Sequence, residues 1–277
     1  MRIAIDAMIL GRRDSGVGVW MRGLVRALAR WGGEHEYLVY HGRDAAELPA
    51  LASPRACYVP VPVPNGVRPL RIAWEQVKLP ARLRRDGVDV LHCPAYVRPL
   101  RVDRPTVLTL HDLFAFTHPR FCRRLNALHY RLTIPPGLRR ATVIHCTSQW
   151  VRQTLERQFP SEAGRARVVH PGVDGLFRPD AEPAALDSLG LDAPPFLFVG
   201  KLEPKKDVAT LLDAYELLRR RFGTDRRLLL VGGAGWGTRR VTARLRSGEL
   251  AAHVVRAGYV PRGALPGIYR AALVLVF

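Results

Sequence analysis

A chain of 277 residues, 48% of them hydrophobic, can bury one large core or two ordinary ones. Its formal net charge of +19, from 43 Lys+Arg against 24 Asp+Glu, is carried almost wholly by arginine. That charge suits phosphorylated substrates, an anionic membrane surface or nucleic acid, or an arginine-rich bias on solvated faces. The amino end MRIAIDAMIL is broken by Asp6, which argues against a secretion leader, and no apolar run approaches the ~20 residues a membrane span needs. The expectation is a cytoplasmic chain, soluble or resting on a membrane surface. Cys57, Cys93, Cys122 and Cys146 form no C-x-x-C pair, so they read as buried thiols in a reducing compartment, without a zinc site or redox dithiol. His92-Cys93 and His145-Cys146 are neighbours on apolar runs and therefore point to opposite faces of a strand.

In chain order, short β-branched or apolar runs alternate with helical patterns, the signature of βαβ units and a parallel sheet. The first strand candidate, Arg2 to Ile9, leads into a glycine turn at Ser15-Gly16-Val17-Gly18 and a helix with apolar Val17, Met21, Leu24 and Leu28. Strands are predicted at Tyr37 to Tyr40, Val88 to His92, Thr106 to His111, Thr142 to Cys146 and Arg167 to His170. Helices are predicted at Ile72 to Arg85, Leu125 to Leu132 and Trp150 to Phe159. The Pro-, Asp- and Ala-rich stretch from Gly175 to Pro195 reads as a connection between domains. Alternation then restarts: a strand at Phe196 to Val199, then a helix with Val208, Leu211, Leu212, Tyr215, Leu218 and Phe222 on one face. Strands at Leu228 to Val231 and Val254 to Val260, a short helix near Leu265 to Ala272, and a buried-looking run from Leu273 to Phe277 complete the chain. A strand of that kind normally feeds a crossover helix, so a longer parent chain is expected. The fold class is thus α/β: two Rossmann-like, doubly wound parallel-sheet domains over residues 1–175 and 195–277, the second incomplete, joined by 176–194 and facing a cleft.

Ligands of doubly wound sheets collect at the carboxyl ends of strands, where loops present backbone N–H groups and helix amino ends. Gly16 and Gly18 fall at such a place. Met21 occupies the third position of the dinucleotide pattern, so a plain tight turn and a backbone approach to phosphate or sugar both fit. His111 closes the strand TVLTLHD and would project from a strand end, able to orient an acceptor, donate a hydrogen bond or stabilise charge on a sugar ring. In VGKLEPKKD, Lys201, Lys205 and Lys206 gather at a strand-to-helix turn, where fixed positive charge and N–H dipoles together favour a diphosphate. A solvated basic turn is the plainer alternative.

The motifs SGVG, TLHDL, VIHCTSQWVRQTL, RVVHPGVDGLFRP, VGKLEPKKDVATLLDAYELL, LLLVGG and AGYVPRGALPGIYRAA, in this order over nearly the whole chain, resemble family 4 of the retaining glycosyltransferases, with the two-domain GT-B architecture. The resemblance implies sugar transfer from a nucleotide-diphosphate sugar with retained anomeric configuration, in bacterial cell-envelope polysaccharide or glycolipid synthesis. It implies an acceptor-binding first domain, a donor-binding second domain, and no metal or cofactor. His111 would lie beside the transferred sugar, Gly16 and Gly18 would approach the donor diphosphate or acceptor, Lys201 and Lys206 would neutralise the leaving diphosphate, and the strand end with Tyr259 and Val260 would meet the base. Where Lys201 stands the family more often has Arg, so a point charge replaces a bidentate fork. Family members continue past this point into a loop with two glutamates eight positions apart and a glycine-rich turn. The chain is therefore expected to be carboxyl-terminally truncated and to carry little transferase activity. The expected partners are a nucleotide-sugar donor, a sugar or lipid-linked acceptor and an anionic membrane surface. Nucleic acid is not expected, because the aromatics fall at apolar periodic positions. Rival readings of the same architecture are a sugar-nucleotide epimerase and a non-catalytic partner subunit.

Overall fold

Alternating strands and helices fold into two units, residues 1–172 and 173–277. The computed structural model describes the whole chain except residues 11–15, 46–47, 49 and 247–248. Ser15 of the glycine turn lies outside the described residues.

The first unit carries seven parallel strands: β1 (Arg2–Asp6), β2 (Glu36–Gly42), β3 (Ala56–Val61), β4 (Val90–Cys93), β5 (Thr106–Leu110), β6 (Val143–Cys146) and β7 (Ala166–Val168). They lie in the order β3-β2-β1-β4-β5-β6-β7, so strand order reverses direction between β1 and β4. Helices cover both faces: α1 (Gly16–Trp31), α2 (Arg68–Val77), α3 (Leu79–Arg85), the short α4 (Phe114–Thr117), α5 (Arg124–Arg140) and α6 (Gln149–Gln158). Strand parity sorts the core. Ile5 and Val39 pack with Met21, Val25 and Ala29 of α1. Ala4, Leu91, Cys93, Leu108 and Ile144 pack on the other face with Trp74, Leu79, Leu83, Ile134 and Leu138.

Several elements depart from the sequence reading for identifiable reasons. β3 was not expected; its Pro60 is tolerated because β3 is an edge strand, with one side of its backbone unpaired. The single helix expected from Ile72 to Arg85 is two helices, divided just before Pro80, which cannot continue the backbone ladder. α5 runs well past Leu132 with Pro135 and Pro136 inside it, because Ile134, Gly137 and Leu138 bury its second half against the sheet. The buried row of α1 is Gly18, Met21, Val25 and Ala29, one position round from the expected face, and small residues let the helix lie close to the strands. Of the thiols, Cys93 and Cys146 are buried as expected, whereas Cys57 is exposed and Cys122 half-buried; Cys57 lies on the edge strand with its side chain turned outward.

The second unit repeats the central winding on a smaller scale. Its parallel strands are β8 (Phe196–Val199), β9 (Leu228–Val231), β10 (Val254–Gly258) and β11 (Val274–Leu275), ordered β10-β9-β8-β11, with the reversal between β8 and β11. The helices are α7 (Val208–Phe222), α8 (Arg239–Arg244), α9 (Glu249–His253) and α10 (Leu265–Ala271). Val208, Leu212 and Tyr215 of α7 are buried as the periodicity requires, while Phe222 at its end is exposed. Ala184, Leu186, Leu189 and Leu191 join the core formed by Leu197, Leu229 and Ile268, and Ala184 N–H donates to Gly267 O at 2.9 Å. Much of the presumed connection is therefore built into this unit. The run from Leu273 to Phe277 does form a strand beside β8, but Leu273, Val274, Leu275 and Phe277 are exposed rather than buried, because no described element covers its outer edge.

Candidate functional site

Reversal of strand order parts the loops on either side and leaves a crevice at the carboxyl ends of the strands. In the first unit that crevice is a cavity of about 290 Å³ lined by Asp6 at the end of β1, Cys93 to Val97 after β4, Arg68, Arg71 and Glu75 of α2, and His129 and Tyr130 of α5. Asp6 is buried and its Oδ1 accepts from Met8 N–H at 3.3 Å. Burial raises the affinity of its carboxyl for a proton, and the Met8 amide and Arg71 only partly offset this. Glu75 is raised further, by burial first and then by the charge of Asp6. The two carboxyls are therefore both displaced toward their protonated forms and titrate as a pair. Arg71 Nε is 3.3 Å from Glu75 Oε1 but misaligned, and this buried nitrogen has no hydrogen-bond partner.

On the opposite face of the same strands, parity aligns His92, Thr109, His111 and His145. His145 Nε2 lies 2.9 Å from Val169 O, a carbonyl that can only accept, so Nε2 carries the hydrogen and Nδ1 accepts from Thr109 Oγ1 at 3.1 Å. Thr109 Oγ1 in turn accepts from His92 Nε2 at 2.8 Å. Burial, followed by the nearby His145 and His111, lowers the His92 pKa to about 4, so the His92 ring is neutral. His111 follows β5. Its Nε2 donates to Pro94 O at 2.9 Å, leaving Nδ1 as an acceptor when the ring is neutral. Burial lowers its pKa, against the opposing effects of the Pro94 carbonyl and Asp112. The ring is held edge-on by Trp20 of α1 at 4.7 Å and by Tyr96 at 5.4 Å. Tyr96 has φ of 67°, unusual for a bulky residue, and is fixed there by its hydroxyl donating to Asp112 Oδ2 at 3.0 Å.

In the second unit the loop after β8 stands at the strand reversal. Glycines at the ends of β8, β9 and β10 allow the loops to nest. Gly232 has φ of 136°, and a Cβ there would lie 2.1 Å from Gly200 O. Gly200 N–H donates to Val231 O at 2.8 Å, Leu202 N–H to Gly233 O at 3.1 Å, and Gly232 N–H to Gly258 O at 2.6 Å. This lattice fixes the lysine turn, whose last helical residues before α7 are Pro204 to Lys206. Lys201 is exposed, Lys205 pairs with Glu203 at 3.4 Å, and the Lys206 ammonium stands 3.9 Å above the Phe277 ring. Burial and then Lys205 lower the Lys206 pKa, against Glu203.

The predicted residues thus fall into separate groups. Lys201, Lys206, Tyr259 and Val260 share the carboxyl edge of the second sheet, Tyr259 exposed and Val260 packed against the core. Gly16 and Gly18 do not form a loop between strand and helix: both lie in the first turn of α1, Gly18 buried and Gly16 in open space, and the contact of this helix with His111 is made by Trp20. Sequence reasoning missed Trp20, Tyr96, His92 and His145 around His111, because strand register and tertiary packing, not local pattern, bring them together. It also missed Asp6, Arg71 and Glu75, which only the packing of α2 over β1 brings together.

Residues 15–175 match the family model Glycosyltransferase Family 4, and residues 188–277 match Glycosyl transferases group 1. O-antigen chain mannosyltransferase B of Escherichia coli is 27% identical over 216 residues, which are 76% of this chain and 54% of that protein, so the chain spans about half the length of this relative. Among solved structures, sucrose-phosphate synthase of Thermosynechococcus elongatus superposes with a TM-score of 0.73 at 20% identity, over 99% of this chain and 74% of that one. HepE of Anabaena, solved in complex with UDP and glucose, superposes with a TM-score of 0.65 at 18% identity, over 99% and 73%. These likenesses give the fold, that of GT-B glycosyltransferases, and with the first model covering more than half of its residues, the chain belongs to Glycosyltransferase Family 4.

Proposed function

We propose that this chain is the acceptor-binding and most of the donor-binding part of an enzyme that transfers a sugar from a nucleotide-diphosphate sugar to an acceptor, with retention of anomeric configuration, in cell-envelope polysaccharide or glycolipid synthesis. The observation that carries the reading is the lysine turn: Lys201 and Lys206 stand at a strand reversal, on a loop nested against glycines that allow close backbone approach. Two ammonium groups there supply countercharge to a diphosphate leaving group, and the exposed ring of Tyr259 on the same sheet edge suits contact with a base. The mannosyltransferase relative and the UDP- and glucose-bound HepE support a sugar-nucleotide donor.

In the transfer, the bond from the anomeric carbon to the β-phosphate oxygen breaks, the charge gathers on the diphosphate, and an acceptor hydroxyl adds on the same face while its proton passes to that diphosphate. His111 acts in this scheme as a neutral imidazole whose Nδ1 accepts from a sugar hydroxyl, because Nε2 is committed to Pro94 O. No metal is assigned a part, since the lysines provide the fixed positive charge. Assembly of envelope glycans fits a place at the inner face of the membrane.

Isothermal titration of the full chain with UDP and with GDP, in the presence of EDTA, tests the donor half: saturable binding of one or both nucleotides is expected, and absence of heat with either contradicts the proposal. Proton NMR of the sugar transferred by the whole enzyme of which this chain is a part tests the stereochemistry, the expected anomeric coupling being that of the donor.

A further inference from the structure

Both ring nitrogens of His145 are committed. Nε2 donates to Val169 O at 2.9 Å, Nδ1 accepts from Thr109 Oγ1 at 3.1 Å, and Thr109 Oγ1 accepts from His92 Nε2 at 2.8 Å. Turning the ring over would put carbon atoms where both nitrogens stand, so the His145 imidazole has one orientation. Val169 is itself tied down, its N–H donating to Cys146 O at 3.1 Å. What rests on this fixed ring is the Trp20 indole of α1. Its centroid is 5.8 Å from the His145 ring at a tilt of 37°, and 4.7 Å from the His111 ring at 82°. The other ring against His111, that of Tyr96 at 5.4 Å, is held from the same residue: Tyr96 N–H donates to Thr109 O at 3.1 Å. Thr109 thus anchors both contacts, with its hydroxyl on the Trp20 side and its carbonyl on the Tyr96 side.

We infer that His145 is a positioning residue for His111: its hydrogen bonds to Thr109 and Val169 hold the Trp20 indole, and the indole holds the His111 imidazole where Nδ1 can meet a sugar hydroxyl. This rests on the sugar-facing role proposed above for His111 and adds the residues that set its aim. The bond from His111 Nε2 to Pro94 O fixes only one point of the ring, about which the rest could swing. A hydrogen bond weakens steeply as it bends, and reacting groups must be held to within roughly 0.5 Å and 10–20°. Mere satisfaction of buried polar groups would account for the bonds among His92, Thr109 and His145. It would not make the aim of His111 depend on them, and the two readings part at that point.

The test is the proton–carbon NMR spectrum of the imidazoles in the full chain, with His111→Gln identifying the His111 signals and Trp20→Leu giving their position without the indole. His145→Phe keeps a ring against Trp20 and removes both hydrogen bonds. It is expected to move the His111 signals at least about half of the way to their position in Trp20→Leu, because the ring current at His111 depends on how the indole lies. Thr109→Val, close to threonine in shape, removes the hydroxyl alone and is expected to move them in the same direction. Thr109→Ser, which restores the hydroxyl, is expected to return them to the native position. Thermal melts establish that each variant is folded. His111 signals that keep their native position in folded His145→Phe or Thr109→Val overturn the inference, and so does a displacement in Thr109→Ser as large as that in Thr109→Val. Titration of the native chain with UDP and GDP reads the proposed function separately, so its failure and an unmoved His111 signal are distinct results.

Discussion

At the residue scale, the first unit holds its titratable groups in forms that their surroundings dictate. His92 is kept neutral, its pKa lowered from 6.5 to about 4 by burial and by its neighbouring imidazoles. A depressed histidine stabilises the fold above its unfolded pKa and withdraws that stability as pH falls through the folded value. His92 is therefore expected to cost on the order of 3 kcal/mol of stability between about pH 6.5 and pH 4. Denaturant titrations should show His92→Gln losing less stability than the native chain over that interval; parallel pH curves would contradict the assignment. Imidazole NMR should likewise find His111 as the Nε2–H tautomer, titrating below 6.5. Glu75 behaves in the opposite sense. Its carboxyl is raised above 4.5, so its contribution is complete below that pH and drains as pH rises. Thermal unfolding should show Glu75→Gln gaining on the native chain from about pH 5 to pH 8, and a constant offset would exclude this carboxyl as the source.

At the element scale, strand ends do the placing, and glycine decides how closely they nest. Gly232 has both a φ of 136° and a neighbouring carbonyl where a Cβ would sit. Gly232→Ala is expected to cost about 1–3 kcal/mol and to weaken nucleotide binding, because the lysine turn must shift. Gly263→Ala, with open space around it and no positive φ, serves as the control in the same thermal-melt and calorimetric measurements. Much at this scale was legible in the sequence: the β8 and β9 runs are continuous and apolar because both sheet faces are covered, and α7 shows its buried face by period. What escaped was non-local. An edge strand tolerates Pro60, and α5 carries two internal prolines because tertiary burial outweighs their local cost. The row of histidines around His111 appears only when strand register is known, since His92 and His145 stand on β4 and β6, either side of β5.

At the scale of the whole molecule, seven motifs in order pointed to the family, and the two family models match residues 15–175 and 188–277. The repeated 3-2-1-4 winding explains why chemistry gathers twice, once at each strand reversal. The first reversal collects carboxyls with arginines, and the second collects lysines on a glycine-nested turn. The lysine turn was legible because its residues are close in the chain; the cavity of the first unit was not, because Asp6, Glu75 and Cys93 meet only after folding. The central claim is that the lysine turn binds the diphosphate of a donor, and titration of the better-bound nucleoside diphosphate into native chain, Lys201→Ala, Lys206→Ala and the double variant tests it most directly. The expected result is about a tenfold or greater loss of affinity in each single variant, a larger loss in the double, and a weakening of native affinity with added salt. Unchanged affinity in the double variant would contradict the account.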